Sequence, residues 1–232
     1  MEEFDTQHLF EHLASDVQAK LRELLRARTY AAGEQIFVQG EPGSAIYLVA
    51  KGRVKISRVT AEGYESILCV RGPGEYFCPV PVLDSGAQLG TAAALTDVTL
   101  LWAERDTFRA LCEASPELLS NVQGDCLAEV RQLLNRLEAF AFRNVRERLA
   151  IALLNESRRQ HAEGGPAGEL RLTQQDLAGL VGASRESVSR TLAQLEREGV
   201  VSLKRGRVLI RDWEHLGQLA KGRAAPAPVT GP

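Results

Sequence analysis

Apolar positions follow three rhythms along the chain. Over residues 4–28 they recur at helical spacing, with Leu9, Phe10, Leu13, Val17, Leu21, Leu24 and Leu25 on one broad face. From Thr29 to Leu101 the rhythm shortens. Glycines at 33, 40, 43, 52, 63, 72 and 74 separate segments rich in β-formers: Gln35–Val38, Ala45–Val49, Arg53–Val59, Glu65–Val70 and Val98–Trp102. Short strands with regular turn signals predict an antiparallel barrel or roll. At Ser115-Pro116 the helical rhythm returns, with serine as N-cap and proline at the first helical position. This helix runs to about Ala141, and along it Leu127, Val130, Leu134, Leu137 and Ala141 alternate at spacings of three and four. That is the seam of a two-stranded coiled coil. The other use for such a stripe is packing on the chain's own roll, and Leu133 beside it is placed to face inward.

After a break near Phe142–Asn144, a helix is expected over Val145–Arg159, then a glycine-rich loop over His161–Gly168. Two short helices follow. Thr173 is a good N-cap, and Asp176 three residues on completes a capping box. Leu177, Leu180 and Val181 hold helical spacing until Gly182, where glycine enters a left-handed cap without a Cβ penalty. Ser184 caps the second helix, whose apolar stripe is Val188, Leu192 and Leu195 and whose other face begins Arg185, Glu186, Ser189, Arg190. Val200–Leu203 and Arg207–Ile210 then flank the basic tip Lys204-Arg205-Gly206, so the module reads as a winged helix-turn-helix. Arginine in the first turns of such a helix can bond the O6/N7 edge of guanine, and glutamate can accept from cytosine N4. An ordinary helical hairpin with a solvated charged face is the plainer alternative.

Composition narrows the class. The 232 residues are 44% hydrophobic and 25% charged, which is ordinary for a globular protein, and the net charge is −2. No apolar run reaches the ~20 residues of a membrane span, and MEEFDTQHLF has no signal-peptide apolar core, so a cytoplasmic protein with no membrane partner is expected. Residues 170–212 hold eight Arg/Lys against five Asp/Glu, whereas residues 73–103 hold three acids and no base. A basic C-terminal end on a mildly acidic chain suits a DNA reader whose other half has a different task. Cys69, Cys78, Cys112 and Cys126 form no CxxC pair. No phosphate loop, metal cluster or nucleophile motif is present, and an enzyme is not expected.

A roll, a long dimer-type helix and a winged helix-turn-helix together resemble the Crp/Fnr family of bacterial transcription regulators, over about residues 10–215. Three stretches carry the resemblance: Leu172-Thr-Gln-Gln-Asp-Leu-Ala with Gly182-Ala-Ser-Arg-Glu-Ser-Val-Ser-Arg190; Phe37-Val-Gln-Gly-Glu-Pro-Gly-Ser-Ala-Ile-Tyr-Leu-Val with Gly52; and Gly74-Glu-Tyr-Phe, Leu83-Asp and Ala94-Leu-Thr-Asp97. The fold class is then α+β. It comprises an N-terminal antiparallel β-roll of cyclic-nucleotide-binding type with flanking helices over 1–114, a dimerisation helix over 115–142, a winged helix-turn-helix over 143–214, and a mostly disordered tail over 215–232. The resemblance implies that Arg185, Glu186 and Arg190 read base edges in a TGTGA-like palindrome. Ser184, Ser189, Thr173, Lys204 and Arg205 lie in the same DNA-facing set. Double-stranded DNA, a second copy of the chain and RNA polymerase are the implied partners.

The sensing half departs from the family. Where cyclic-nucleotide members carry a Gly-Glu pair for the ribose and an Arg-Ser pair for the phosphate, this chain reads Cys78-Pro79 and Gln88-Leu89. The polar pair that faces the base aligns with Leu133-Leu134. A buried phosphate without a cation is expensive, so cyclic AMP is not expected as the effector. The remaining effector pocket is Cys78, Pro79, Gln88 and Leu89, with Leu133, Leu134 and Leu137 as an apolar wall. Cys78 occupies the place of a haem-ligating cysteine in the family's gas sensors, although the histidine two residues on is Val80 here and His8 and His12 lie upstream. Haem or a haem-bound gas through Cys78, a small apolar or aromatic effector, thiol redox chemistry at Cys69 and Cys78, and no effector at all remain open.

Overall fold

The first helix ends earlier than its periodicity suggests, because the segment after it is needed in a sheet. The computed structural model describes residues 9, 10, 12–61, 63, 65–162 and 164–221, and the chain divides into two units, Met1–Leu134 and Asn135–Pro232. In the first unit α1 covers only Ser15–Leu24, and Leu25 is already extended. Strand β1 (Arg26–Tyr30) then pairs antiparallel with residues 98–102. The helix expected over 4–28 is thus corrected to ten residues plus a strand, with residues 4–8 and 11 outside the described part. Cross-strand partners decide the outcome rather than local propensity: the Arg26 guanidinium lies 5.7 Å from the Trp102 ring centre.

The roll continues through β2 (Gln35–Phe37), β3 (Ala45–Lys51), β4 (Val54–Val59), β5 (Glu65–Arg71), β6 (Tyr76–Phe77), α2 (Pro79–Asp84), β7 (Thr91–Ala94), β8 (Val98–Glu104) and α3 (Arg105–Ala114). Two antiparallel four-stranded sheets result, in the orders β1-β8-β3-β6 and β2-β7-β4-β5. The turn from β3 to β4 needs Gly52. Its φ is +84°, and a Cβ there would meet the Asp97 carbonyl oxygen at 2.2 Å. Tyr30, Phe37, Val49, Val54, Ile56, Phe77 and Leu100 fill the inside of the roll. On the outer face of the first sheet, Ile46, Leu48 and Ala103 pack against Leu21, Phe108, Leu111, Leu118 and Val122 from the helices. Strand β3 is therefore buried on both faces.

Helix α4 runs unbroken over Pro116–Phe142. Ser115 supplies its start, its hydroxyl accepting from the Leu118 N–H. The division between the two units falls inside this helix, at Leu134.

In the second unit come α5 (Val145–Ala162), β9 (Glu169–Leu170), α6 (Gln174–Val181), α7 (Arg185–Arg197), β10 (Val201–Lys204), β11 (Arg207–Ile210) and α8 (Trp213–Lys221). Leu149, Leu153, Leu170, Leu177, Val188, Leu192, Leu195, Val200 and Leu216 form one core. Helix α8 corrects the expected unstructured tail from residue 215. Asp212 accepts from the His215 N–H at 2.9 Å, Leu216 is wholly buried, and Arg143 Nη1 donates to the Ala220 carbonyl at 2.6 Å. The rest of that tail, 222–232, lies outside the described residues.

Candidate nucleic-acid interface and sensing roll

Reciprocal hydrogen bonds set the start of α6. The Thr173 hydroxyl accepts from the Asp176 N–H at 3.1 Å, while the Asp176 carboxylate accepts from the Thr173 N–H at 3.0 Å and from its hydroxyl at 2.6 Å. Gly182 closes the helix at φ +59°. Its missing side chain matters twice, because a Cβ would also sit 2.6 Å from the Phe140 ring. Arg148 lies 5.3 Å from the centre of that ring and donates to the carbonyls of Val181 at 2.8 Å and Arg143 at 2.7 Å. The turn between α6 and α7 is thus clasped from behind by the end of α4 and the start of α5, which the sequence reading missed.

Ser184 caps α7 by accepting from the Ser187 N–H at 3.2 Å. Val188, Leu192 and Leu195 are fully buried. That rotation leaves Arg185, Glu186 and Arg190 exposed and Ser184 and Ser189 half-buried. The hairpin β10–β11 pairs Lys204 with Arg207 across its tip. It is held by Arg207, which donates to Glu169 at 2.6 Å, and by the Leu203 N–H, which donates to Glu196 of α7 at 2.7 Å. A concavity of about 500 Å³ opens between these parts, and Thr173, Arg185, Lys204 and Arg205 are among the residues that line it. Glu186, Ser189 and Arg190 lie outside that hollow, on the protruding face of α7.

In the roll the expected pocket residues do not all converge. Cys78 stands at φ +67° just before α2, a left-handed position uncommon for a residue with a Cβ. Pro79 behind it is buried, and so is Gln88, whose side-chain oxygen has no hydrogen-bond partner among the described residues. Leu89 instead points outward, 58% exposed, because Gln88 takes the inward place before β7. Leu133, Leu134 and Leu137 are likewise exposed. Burial, reinforced by Cys69, pushes the Cys78 thiol far up, against a smaller opposing pull from Arg71. Cys69, Cys112 and Cys126 are also free thiols.

Arg71, at the end of β5, is the charged group that the sequence reading missed. Its Nη2 is bonded to Glu129 on α4, while its Nε is buried without a hydrogen-bond partner among the described residues. Four residues earlier on α4, Asp125 accepts from the Tyr76 hydroxyl at 2.7 Å. The sign of Arg71 in the sequence is a charge closing the apolar run Ile67–Val70, two residues before the segment without bases.

The seam residues Leu127, Val130, Leu134 and Leu137 are 52–65% exposed, and Ala141 is exposed beside them. An apolar row of this length in water marks a contact surface. Among the described residues no group of three or more His, Cys, Asp or Glu could hold a metal ion, and no helix is long and apolar enough to cross a membrane.

Residues 27–115 match the cyclic nucleotide-binding domain, and residues 147–219 match the Crp-like helix-turn-helix domain. The chain is 36% identical over 216 residues to the cyclic AMP receptor protein of Thermus thermophilus, covering 93% of this chain and 98% of the relative. It is 32% identical over 217 residues to the CRP-like cAMP-activated global transcriptional regulator of Mycobacterium tuberculosis, covering 92% and 96%. The solved structure of FixK2 from Bradyrhizobium japonicum superposes with a TM-score of 0.76 over 88% of this chain and 99% of that one, at 22% identity.

Proposed function

The chain belongs to the Crp/Fnr family of transcription regulators, and from that premise we propose that it binds a TGTGA-like palindrome as a homodimer, gated by a small effector in its roll. The observation that carries the reading is the orientation of α7: its buried stripe aims Arg185, Glu186 and Arg190 outward beside a hollow that gathers Thr173, Lys204 and Arg205. Arg185 and Arg190 donate to guanine edges, and Glu186 accepts from cytosine N4. Ser184 and Ser189 contact phosphates, Thr173 fixes the start of α6 on the same DNA-facing side, and the wing tip Lys204-Arg205 neutralises other phosphates. The α4 seam pairs two copies, so protein symmetry matches the palindrome. The role is regulatory rather than catalytic and is exercised in the cytoplasm, with RNA polymerase as the protein partner.

Cyclic AMP held in the family's way does not fit the residues at those places. The neutral Gln88 stands where the phosphate-binding arginine would, Leu89 in the serine's place faces solvent, and Cys78-Pro79 replaces the ribose-binding pair. Haem fits no better. The histidine that would stand two residues after Cys78 is Val80 here, and His8 lies outside the described residues. A small organic effector in the roll is the reading these side chains favour.

Fluorescence anisotropy on a labelled TGTGA palindrome tests the DNA half. Arg185→Ala and Glu186→Ala should each weaken binding about 5- to 100-fold and relax preference at one base pair. Unchanged affinity and preference in both variants would overturn the direct-readout assignment.

A further inference from the structure

The reading of the roll as an effector domain leaves open which chemistry it accepts, and Arg71 bears on that. Its side chain is only 17% exposed, and its Nε is buried without a partner among the described residues. A guanidinium presents five N–H donors in a rigid fork that suits a bidentate oxyanion; among the described residues Nη2 is bonded to Glu129, while Nε is left without a partner. The pair is unequal. Arg71 is the last residue of a strand paired along its length with β4, its own position facing Val54. Glu129 is 32% exposed on a helix surface and can turn into water. Arg71 is the member that cannot leave and cannot stay buried without an anion.

A second carboxylate, Glu75, also bears on Arg71, and the remaining neighbours on its strand and the following turn are apolar. Cys69 and Cys78 border the packed interior of the roll together with Leu68. The charge on Arg71 pulls on the Cys78 thiol. No other base stands near in sequence between Pro73 and Ala103.

We propose that Arg71 is the anchor of the effector site, and that it takes a small organic anion, a carboxylate or phosphate ester on an apolar body, in exchange for Glu129. The incoming oxyanion accepts from Nε and one Nη, and the Glu129 side chain swings to solvent. Binding thereby removes a tie between β5 and the helix that carries the seam. This rests on the roll being the sensing part, and it places the anion at a strand position distinct from Cys78-Pro79 and Gln88-Leu89.

The test is isothermal titration calorimetry on the full chain without DNA. The probes are cyclic AMP and cyclic GMP as phosphodiesters, and benzoate and indole-3-acetate as aromatic carboxylates. Arg71→Gln should weaken the binding of any probe that binds by at least about tenfold. Glu129→Gln should tighten it by about threefold or more, because the internal competitor is gone. A merely structural pair would give losses in both variants. Which pair of probes responds separates the phosphate from the carboxylate source. Should Arg71→Gln fail to fold, judged by circular dichroism, the sign of the Glu129→Gln effect decides alone. The proposal falls if neither the wild type nor Glu129→Gln binds any of the four probes. It falls equally if Arg71→Gln binds like the wild type or Glu129→Gln binds no tighter. Failure of the wild type to bind the palindrome would strike the regulator reading instead, since the calorimetry contains no DNA.

Discussion

Cys78 shows how one side chain can be both ordinary and constrained. A left-handed backbone costs a residue with a Cβ about 1–2 kcal/mol, and here it turns the chain from β6 into the proline that opens α2. Burial keeps its thiol protonated well above the usual thiol range. A thiol whose folded pKa is raised contributes stability below its unfolded value, and that contribution is lost as pH climbs towards the folded one. Cys78→Ala should therefore flatten the fall in urea midpoint between about pH 8 and about pH 10. An unchanged slope would mean that other groups set the alkaline limit. The same thiol should react with iodoacetamide far more slowly in the native than in the unfolded chain. The half-buried character of Cys78 was legible from its apolar neighbours, but the charge that Arg71 brings to bear on it was not. Whether Gln88 or Leu89 turns inward depends on the strand that follows, and no local pattern fixes that. Arg71 was illegible for a related reason: its buried setting arises from a helix 58 residues away.

Among the elements, the wing is the most predictable in its energetics. Arg207 is neutralised by Glu169, which leaves Lys204 and Arg205 exposed at the tip. Each of Lys204→Ala and Arg205→Ala should weaken binding to operator and non-operator DNA alike, and should reduce the slope of log K against log salt by about one. A change confined to the operator would mean that the wing reads bases. The helix pair was readable in the sequence down to single residues, since Thr173, Asp176, Gly182 and Ser184 act within a turn of where they stand. Strands β1 and β7 were not. Thr91-Ala-Ala-Ala has little β propensity and becomes a strand because β2 and β4 flank it on both sides, and Arg26–Tyr30 yields a helical rhythm to β8. Such elements are written in their partners, tens of residues distant. Helix α8 was lost for a simpler reason: its apolar stripe is short, and the Pro-rich residues beyond it coloured the whole segment.

For the molecule as a whole, the proposed role of the exposed row on α4 is to pair two copies of the chain. Leu134→Glu with Leu137→Glu should give monomers by sedimentation at micromolar concentration and leave the fold intact, because neither side chain is part of a core. Affinity for a full palindrome should then drop to that for a half-site; dimers that persist would assign the row to another partner. The α+β class, the roll and the winged module follow from periodicity and turn chemistry over long stretches, which is why they were visible before any coordinates. The turn at Gly182 adds something of a different kind. Glycine is required there by φ and again by the Phe140 ring, so two positions 42 residues apart in the chain share one volume. Inheritance at either position is then conditional on the other. Trimming the aromatic ring would therefore lift one of two obstacles to a bulkier residue at the turn and leave the other, the left-handed backbone, in place.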